Sequence, residues 1–346
     1  MKKLQNTLYV TTPNSYISKD GTNIVVIIND SELGRIPIHN LQSIICFGYT
    51  GMSPAAMRLC VENGVAIAFM TPNGRFQASV SGETKGNVLL RREQYRMADD
   101  ISKALDISRN LIKGKFMNSR YLLRRGKNDH SSIQNESNLD TALNSISNGL
   151  KAIDTCQTLE ELRGIEGNIA KLYFSGMDEL ILKQKDVFFI RSRNKRPPTD
   201  RMNSLLSFLY TLLAHDVASA LEAVGLDSFV GFLHTDRPGR RSLAFDIMEE
   251  MRSPIVDRLA LNLVNLGKIT GEGFLEKENG SIIMSDSTRK LVLESWQSRK
   301  NDEIFHPFLR EKIKIGLIPH MQSMLLARYI RGDLDGYPPF IMKSVS

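Results

Sequence analysis

The sequence predicts an α+β chain: a small N-terminal β-rich, β-sandwich-like domain over residues 1–86, then a larger all-helical domain over 87–346. Up to about Gly86 the apolar residues come in short β-branched runs separated by turn signals. From about Asn87 onward they recur at helical spacing. At 346 residues the chain is also long enough to bury two cores.

In the first region, Thr7 to Thr11 and Ile24 to Ile28 read as strands, with Asp20-Gly21 between them supplying the positive φ of a tight hairpin. Strands follow at Arg35 to Ile38 and Ser43 to Phe47. Ala66 to Met70 and Arg75 to Val80 flank Pro72-Asn73-Gly74, a second hairpin signal. One helix interrupts, with Ser53 as N-cap, Pro54 in the first turn and a stop near Asn63-Gly64. The helical region opens at Val88 and has a polar break over 127–138. Further helices are expected at 158–182, 199–224, 244–267, 286–299 and 306–331, with a hairpin around Asn279-Gly280. The tail from Gly332 reads as an extended end.

Composition is that of a globular protein, with 42% hydrophobic and 24% charged residues. No apolar run of about 18 residues appears, and Met1 to Asn6 lacks the apolar core of a signal peptide. The expectation is a cytoplasmic protein with no membrane partner. Cys46, Cys60 and Cys156 lack metal-finger spacing and read as reduced core thiols. A net charge of +7 leans toward an anionic partner. The basic run Arg191, Arg193, Lys195 and Arg196 could be a solvated loop, but Arg237, Arg240 and Arg241 downstream favour nucleic-acid contact.

Three polar islands could hold a hard divalent cation: Glu166, His234, and Asp246 with Glu249. Thr158-Leu159-Glu160-Glu161 is a capping box, and Leu162, Ile165, Ile169 and Leu172 form the buried stripe of the helix it starts. Glu166 lies on the flank of that stripe, where a metal ion or an arginine would satisfy its charge. Asp246 and Glu249 share a helical face, and the loop after His234 returns the chain to them. Arg237, Arg240, Arg241 and Arg252 crowd the last two islands and suit a phosphate-bearing substrate.

These residues sit in a set of ordered motifs: Leu8-Tyr9-Val10-Thr11-Thr12-Pro13, Gly86 to Tyr95, Gly164-Ile165-Glu166-Gly167, Arg196 to Phe208, Gly231-Phe232-Leu233-His234 and Arg241 to Arg252. Over essentially its whole length the chain resembles the CRISPR-associated spacer-acquisition nuclease-integrase family, most closely its type I-C branch. The resemblance implies an N-terminal β domain used for dimerisation and a C-terminal helical catalytic domain. It implies that Glu166, His234 and Glu249 bind Mg²⁺ or Mn²⁺, with Asp246 beside them in the catalytic set. It leaves open whether Asp246 or Glu249 touches the ion directly.

The activity implied is insertion of short foreign DNA fragments (spacers) into a CRISPR array, through 3′-hydroxyl attack on a phosphodiester, in antiviral defence. Partners implied are double-stranded DNA, a second copy in a homodimer, and a small ferredoxin-like companion subunit completing a heterohexamer. The rival readings are a non-catalytic DNA-binding scaffold, whose acids pair with the arginines, and a plain metal-dependent nuclease.

Overall fold

A computed structural model describes residues 6–72, 74, 76–80, 88–130, 136–194 and 197–342. Asn73 and Arg75 of the second hairpin signal, and Lys195 and Arg196 of the basic run, lie outside the described residues. The chain forms two compact units, Met1–Gly86 with Arg289–Ser298, and Asn87–Thr288 with Arg299–Ser346.

The first unit contains two four-stranded sheets. One has the order β1-β5-β7-β8, with β1 (Asn6–Val10), β5 (Leu41–Phe47) and β7 (Ala66–Met70) parallel and β8 (Phe76–Val80) antiparallel to β7. The other has the order β4-β3-β2-β6, an antiparallel meander of β2 (Tyr16–Asp20), β3 (Asn23–Ile28) and β4 (Ser31–Pro37) with β6 (Gly51–Met52) alongside β2. Val10, Ile44 and Ile67 from one sheet and Ile17, Ile24 and Val26 from the other share a core with Ala56 and Cys60 of α1 (Pro54–Glu62). The α1 cap is the expected one: the Ser53 hydroxyl accepts from Ala56 N–H, and Gly64 takes φ +68° just past the end.

One strand pairing differs from expectation. Gly21, at φ +56°, turns β2 into β3, whereas the residues around Thr7 to Thr11 form β1 and pair in parallel with β5. The strand Tyr16–Asp20 was not legible because only Ile17 of its inner positions is apolar and fully buried. All three cysteines are buried and free.

The second unit is dominated by helices: α2 (Val88–Asp99), α3 (Ile101–Asp129), α4 (Glu136–Thr155), α5 (Leu159–Asp178) and α6 (Arg201–Ala223). Thr158 caps α5 by accepting from Glu161 N–H, and Asp200 caps α6 by accepting from Asn203 N–H. The return arm of the α5 box reaches one residue further than expected, from Gln157 N–H to Glu161 Oε2. Helix α6 is apolar and long enough to cross a membrane, but 67% of its most apolar window is buried inside the protein, as in a core helix.

The helix expected over 244–267 is broken into four pieces. They are α7 (Ser242–Met248), a 3-10 turn (Glu249–Met251), a π-helical segment (Arg252–Asp257) and α8 (Arg258–Asn265). Pro254 within it has no N–H to donate, and the wide π turn absorbs that gap. A short hairpin of β9 (Phe274–Glu276) and β10 (Ile282–Met284) precedes α9 (Asp286–Asn301).

The region expected as one helix over 306–331 instead begins as a hairpin. Strands β11 (Glu303–His306) and β12 (Glu311–Lys314) pair antiparallel, and α10 (Ile318–Ile330) follows after a 3-10 turn. Pro307 and a left-handed Arg310 (φ +57°) reverse the chain there, which no helix accommodates. The tail is not free either: Tyr337 and Phe340 are buried.

Candidate active site

Four elements of the helical unit bring the predicted residues together. Asp246, on α7, has no exposed surface and accepts four hydrogen bonds. Its Oδ2 takes the backbone N–H groups of Phe232 (2.6 Å) and Leu233 (3.0 Å). Its Oδ1 takes the N–H of His234 (3.0 Å) and faces His234 Nδ1 at 2.5 Å. A carboxylate that already accepts three backbone N–H groups is acceptor-only, so Nδ1 donates, and in the neutral ring the lone pair is then on Nε2. The His234 side chain retains 23% exposure, so that lone pair belongs to a group open to solvent.

Gly231 makes this grip possible. A Cβ there would lie 2.7 Å from Asp246 Oδ2 and 2.9 Å from the Ser242 carbonyl carbon. From the other side, Arg163 of α5 donates through Nε to Leu233 O (2.8 Å), tying the His234 loop to the helix that carries Glu166.

Glu166 and Glu249 meet through a residue the sequence reading passed over. Lys115 of α3 is paired to Glu166 Oε1, and its Nζ lies 2.8 Å from Glu249 Oε2. Leu111, Ile112 and Phe116 surround it on the buried face of α3, so a lysine inside an apolar stripe was the available signal. The other Glu249 oxygen is 2.9 Å from Arg252. Glu249 Oε2 is buried, and the Lys115 ammonium is its charge partner.

Burial opposes ionisation of Glu249, but Arg252, then Lys115 and His234, outweigh it and hold its carboxyl at about 2. Burial likewise works against the Lys115 ammonium, and Glu249 and Glu166 overcome it, leaving its pKa raised. His234 and Glu166 thus act electrostatically on the same buried pair, His234 on Glu249 and Glu166 on both Lys115 and Arg252.

Behind the carboxylates, Asp257 accepts from Tyr173 (2.6 Å) and Tyr210 (2.5 Å). Arg252 and Arg193 both lie over the Tyr210 ring, at 5.0 and 5.3 Å. Arg193 also donates to Asn194 O, Asn203 Oδ1 and Ser207 Oγ, so its guanidinium faces inward. Arg252 is likewise turned in, onto Glu249. Arg237 is exposed. Arg191 stacks on Phe189 (5.0 Å), Arg240 on Phe245 (5.8 Å) and Arg241 on Phe229 (5.6 Å). Phe245 in turn lies 6.2 Å from the His234 ring, so the Arg240 stack borders the histidine.

Glu250, next to Glu249 in the chain, serves elsewhere. It accepts from Tyr337 Oη, Gln322 Nε2 and Phe340 N–H, at 2.6, 2.8 and 2.9 Å, and so anchors the tail.

In type, the residues present suit a divalent ion. Two carboxylates already converge on one cationic atom, and an imidazole with a free Nε2 lies in the same electrostatic cluster. Among the described residues no three His, Cys, Asp or Glu side chains are arranged to hold a metal ion; the Lys115 ammonium stands between the carboxylates instead. Asp246, with all its bonds directed to the His234 loop, is a positioning group in this arrangement.

Comparison with known proteins agrees on one family. The pattern of the family described as CRISPR associated protein Cas1 matches residues 8–298. A CRISPR-associated endonuclease Cas1 from Chlorobaculum tepidum is 47% identical over 343 residues, covering 99% of this chain and 100% of that protein. The solved structure of a Cas1 protein from Thermotoga maritima superposes with a TM-score of 0.82 at 22% identity, covering 99% of this chain and 100% of that one. A casposase bound to its integration product gives a TM-score of 0.84 at 20% identity, covering 99% and 96%. At these identities the two structures speak to the fold.

Proposed function

The chain belongs to the Cas1 family of CRISPR-associated proteins, and from that premise we propose that it is a metal-dependent DNA endonuclease-integrase that inserts short DNA fragments into a CRISPR array. The observation that carries the site assignment is the convergence of Glu166 and Glu249 on one cation beside a histidine locked by Asp246. The relative from Chlorobaculum tepidum is named an endonuclease, and the structural neighbour of highest TM-score given above holds an integration product.

Glu166, His234 and Glu249 would hold Mg²⁺ or Mn²⁺, which when bound neutralises charge at the scissile phosphate. The chain's own residues do the rest. Asp246 engages Nδ1 and so leaves Nε2 as the ring nitrogen available to an ion. Arg252 and Lys115 favour the ionised form of Glu249, which keeps a negative donor at the site. Arg237, Arg240, Arg241 and Arg191 would meet backbone phosphates, three of them from stacks on Phe245, Phe229 and Phe189. The attacking 3′-oxygen bonds to phosphorus as the target strand's P–O3′ bond breaks, so strand transfer conserves the number of phosphodiesters. Positioning and charge are most of what such a reaction asks of a protein.

Dimerisation through the β-rich domain, catalysis in the helical one, and a heterohexamer with a small ferredoxin-like companion subunit complete the proposal. A second reading has a specific observation behind it. Lys115 and Arg252 already satisfy both carboxylates, as a non-catalytic DNA-binding scaffold would require.

A branched DNA substrate incubated with Mn²⁺, with and without EDTA, separates these readings. Strand-transfer products that vanish with EDTA and fall by roughly a hundredfold or more in Glu166→Ala, His234→Ala or Glu249→Ala support the integrase. Hydrolysis without joining supports a plain nuclease. Absence of products, with binding unchanged by Glu166→Ala, supports the scaffold.

A further inference from the structure

Lys115 is the least expected member of the site. A lysine at 9% side-chain exposure, on the apolar face of α3, is costly to keep charged unless anions meet it. Two do, and they are the same two carboxylates assigned to the divalent ion. An ammonium standing between Glu166 Oε1 and Glu249 Oε2 and a divalent ion bridging the same two oxygens compete for one position. Arg252, on the other Glu249 oxygen, need not move.

Resting on the metal-dependent reading above, we infer that Lys115 is an exchangeable counter-ion: it holds the Glu166–Glu249 pair in the metal-free protein and is released onto a DNA phosphate when a divalent ion takes its place. The exchange has a thermodynamic consequence. Displacing the ammonium strands a buried positive charge, which lowers metal affinity in the free protein. A phosphate at the site supplies the missing anion, so DNA and metal strengthen each other's binding by the same factor. The site is thereby filled preferentially when substrate is present. The flexible four-carbon stem of lysine suits this role, since one compact charge can swing between partners without a fixed fork geometry.

The test is Mn²⁺ binding, read from the EPR signal of the free ion, on the full chain as wild type, Lys115→Met and Lys115→Arg. Each is titrated alone and with a duplex whose 3′ ends are dideoxy-terminated, so that binding is measured without reaction. Expected are about tenfold tighter Mn²⁺ binding by Lys115→Met alone, and a duplex-induced tightening of about fivefold or more in wild type that shrinks below about twofold in Lys115→Met. Lys115→Arg, which keeps the charge, stays within about threefold of wild type without DNA. Should Lys115→Met not fold without metal, Lys115→Gln replaces it in the same titration. Wild type that binds Mn²⁺ while the neutral variants bind no tighter overturns the counter-ion role and leaves the metal site standing. Wild type and variants that all fail to bind Mn²⁺, with or without the duplex, overturn the metal site and the counter-ion role together.

Discussion

Replacing Asp246 by asparagine is the sharpest test of how the histidine is held. Asparagine keeps the shape but offers one acceptor oxygen where aspartate offers two. Its amide nitrogen must face either the Phe232 and Leu233 N–H groups or the His234 N–H and Nδ1. In the first case two of four hydrogen bonds are lost; in the second the His234 N–H bond is lost and Nδ1 keeps its contact only by becoming the acceptor, which moves the ring proton to Nε2, all in a site with no solvent access. At about 1.5–3 kcal/mol for each hydrogen bond to a charged group, Asp246→Asn costs about 3–6 kcal/mol in the first case and about 1.5–3 kcal/mol in the second, where the ring is also left in the wrong tautomer. That is a large share of the roughly 5–15 kcal/mol by which a folded domain is stable.

Urea denaturation of wild type and Asp246→Asn measures this loss, and the branched-substrate assay measures its effect on chemistry. A loosened His234 lowers strand transfer about 10–100-fold, the usual effect of losing an orienting partner. A variant within about 1 kcal/mol of wild type in stability and about twofold in rate refutes the assignment of Asp246 as the group that positions His234.

Four further outcomes follow from the same geometry. Burial pushes the Glu250 carboxyl from 4.5 up to about 7. The folded value lies above the unfolded one, so its contribution is complete below about pH 4.5 and is lost as pH rises through about 7, to a total of about 3 kcal/mol. Glu250→Gln removes that dependence; if unfolding curves at pH 5 and pH 8 give the same wild-type-minus-variant difference, this account fails. Gly231→Ala drives a methyl into Asp246 Oδ2 and the Ser242 backbone, costing about 1–3 kcal/mol in denaturation midpoint and disturbing His234; an unperturbed variant contradicts the close approach. Arg237→Ala, at an exposed position, should lower the slope of log affinity against log salt by about one with no change in melting temperature. Arg193→Ala should instead lower the melting temperature, because its guanidinium is bonded to Asn194, Asn203 and Ser207; the opposite pattern would reverse the two assignments.

Much of the fold was legible because it is encoded locally. Ser53 and Thr158 cap their helices through contacts three residues away, and the change from β-branched runs to helical spacing separates the β-rich and helical regions. Reading failed where the outcome depends on distant partners or on backbone detail. Residues 306–317 carry enough apolar spacing to pass for helix, yet Pro307 and a left-handed Arg310 make a hairpin. Strand β1 pairs with β5, some thirty-five residues on, rather than with the run that follows it.

The same division holds at the site. Its motif residues could be named from the one-dimensional order of Glu166, His234, Asp246 and Glu249, because side-chain type already restricts which groups can bind a hard cation or phosphate. What each of them touches was a matter for the packed molecule alone. Lys115 and Glu166 stand 51 residues apart in the chain and on different helices, and no local pattern announces their meeting. Arg252 turns inward to Glu249, and Asp246 turns to the His234 backbone, because buried charge is tolerated only where an opposite charge or a set of donors awaits it, and those partners are assembled by tertiary contacts between α3, α5, α7 and the π turn.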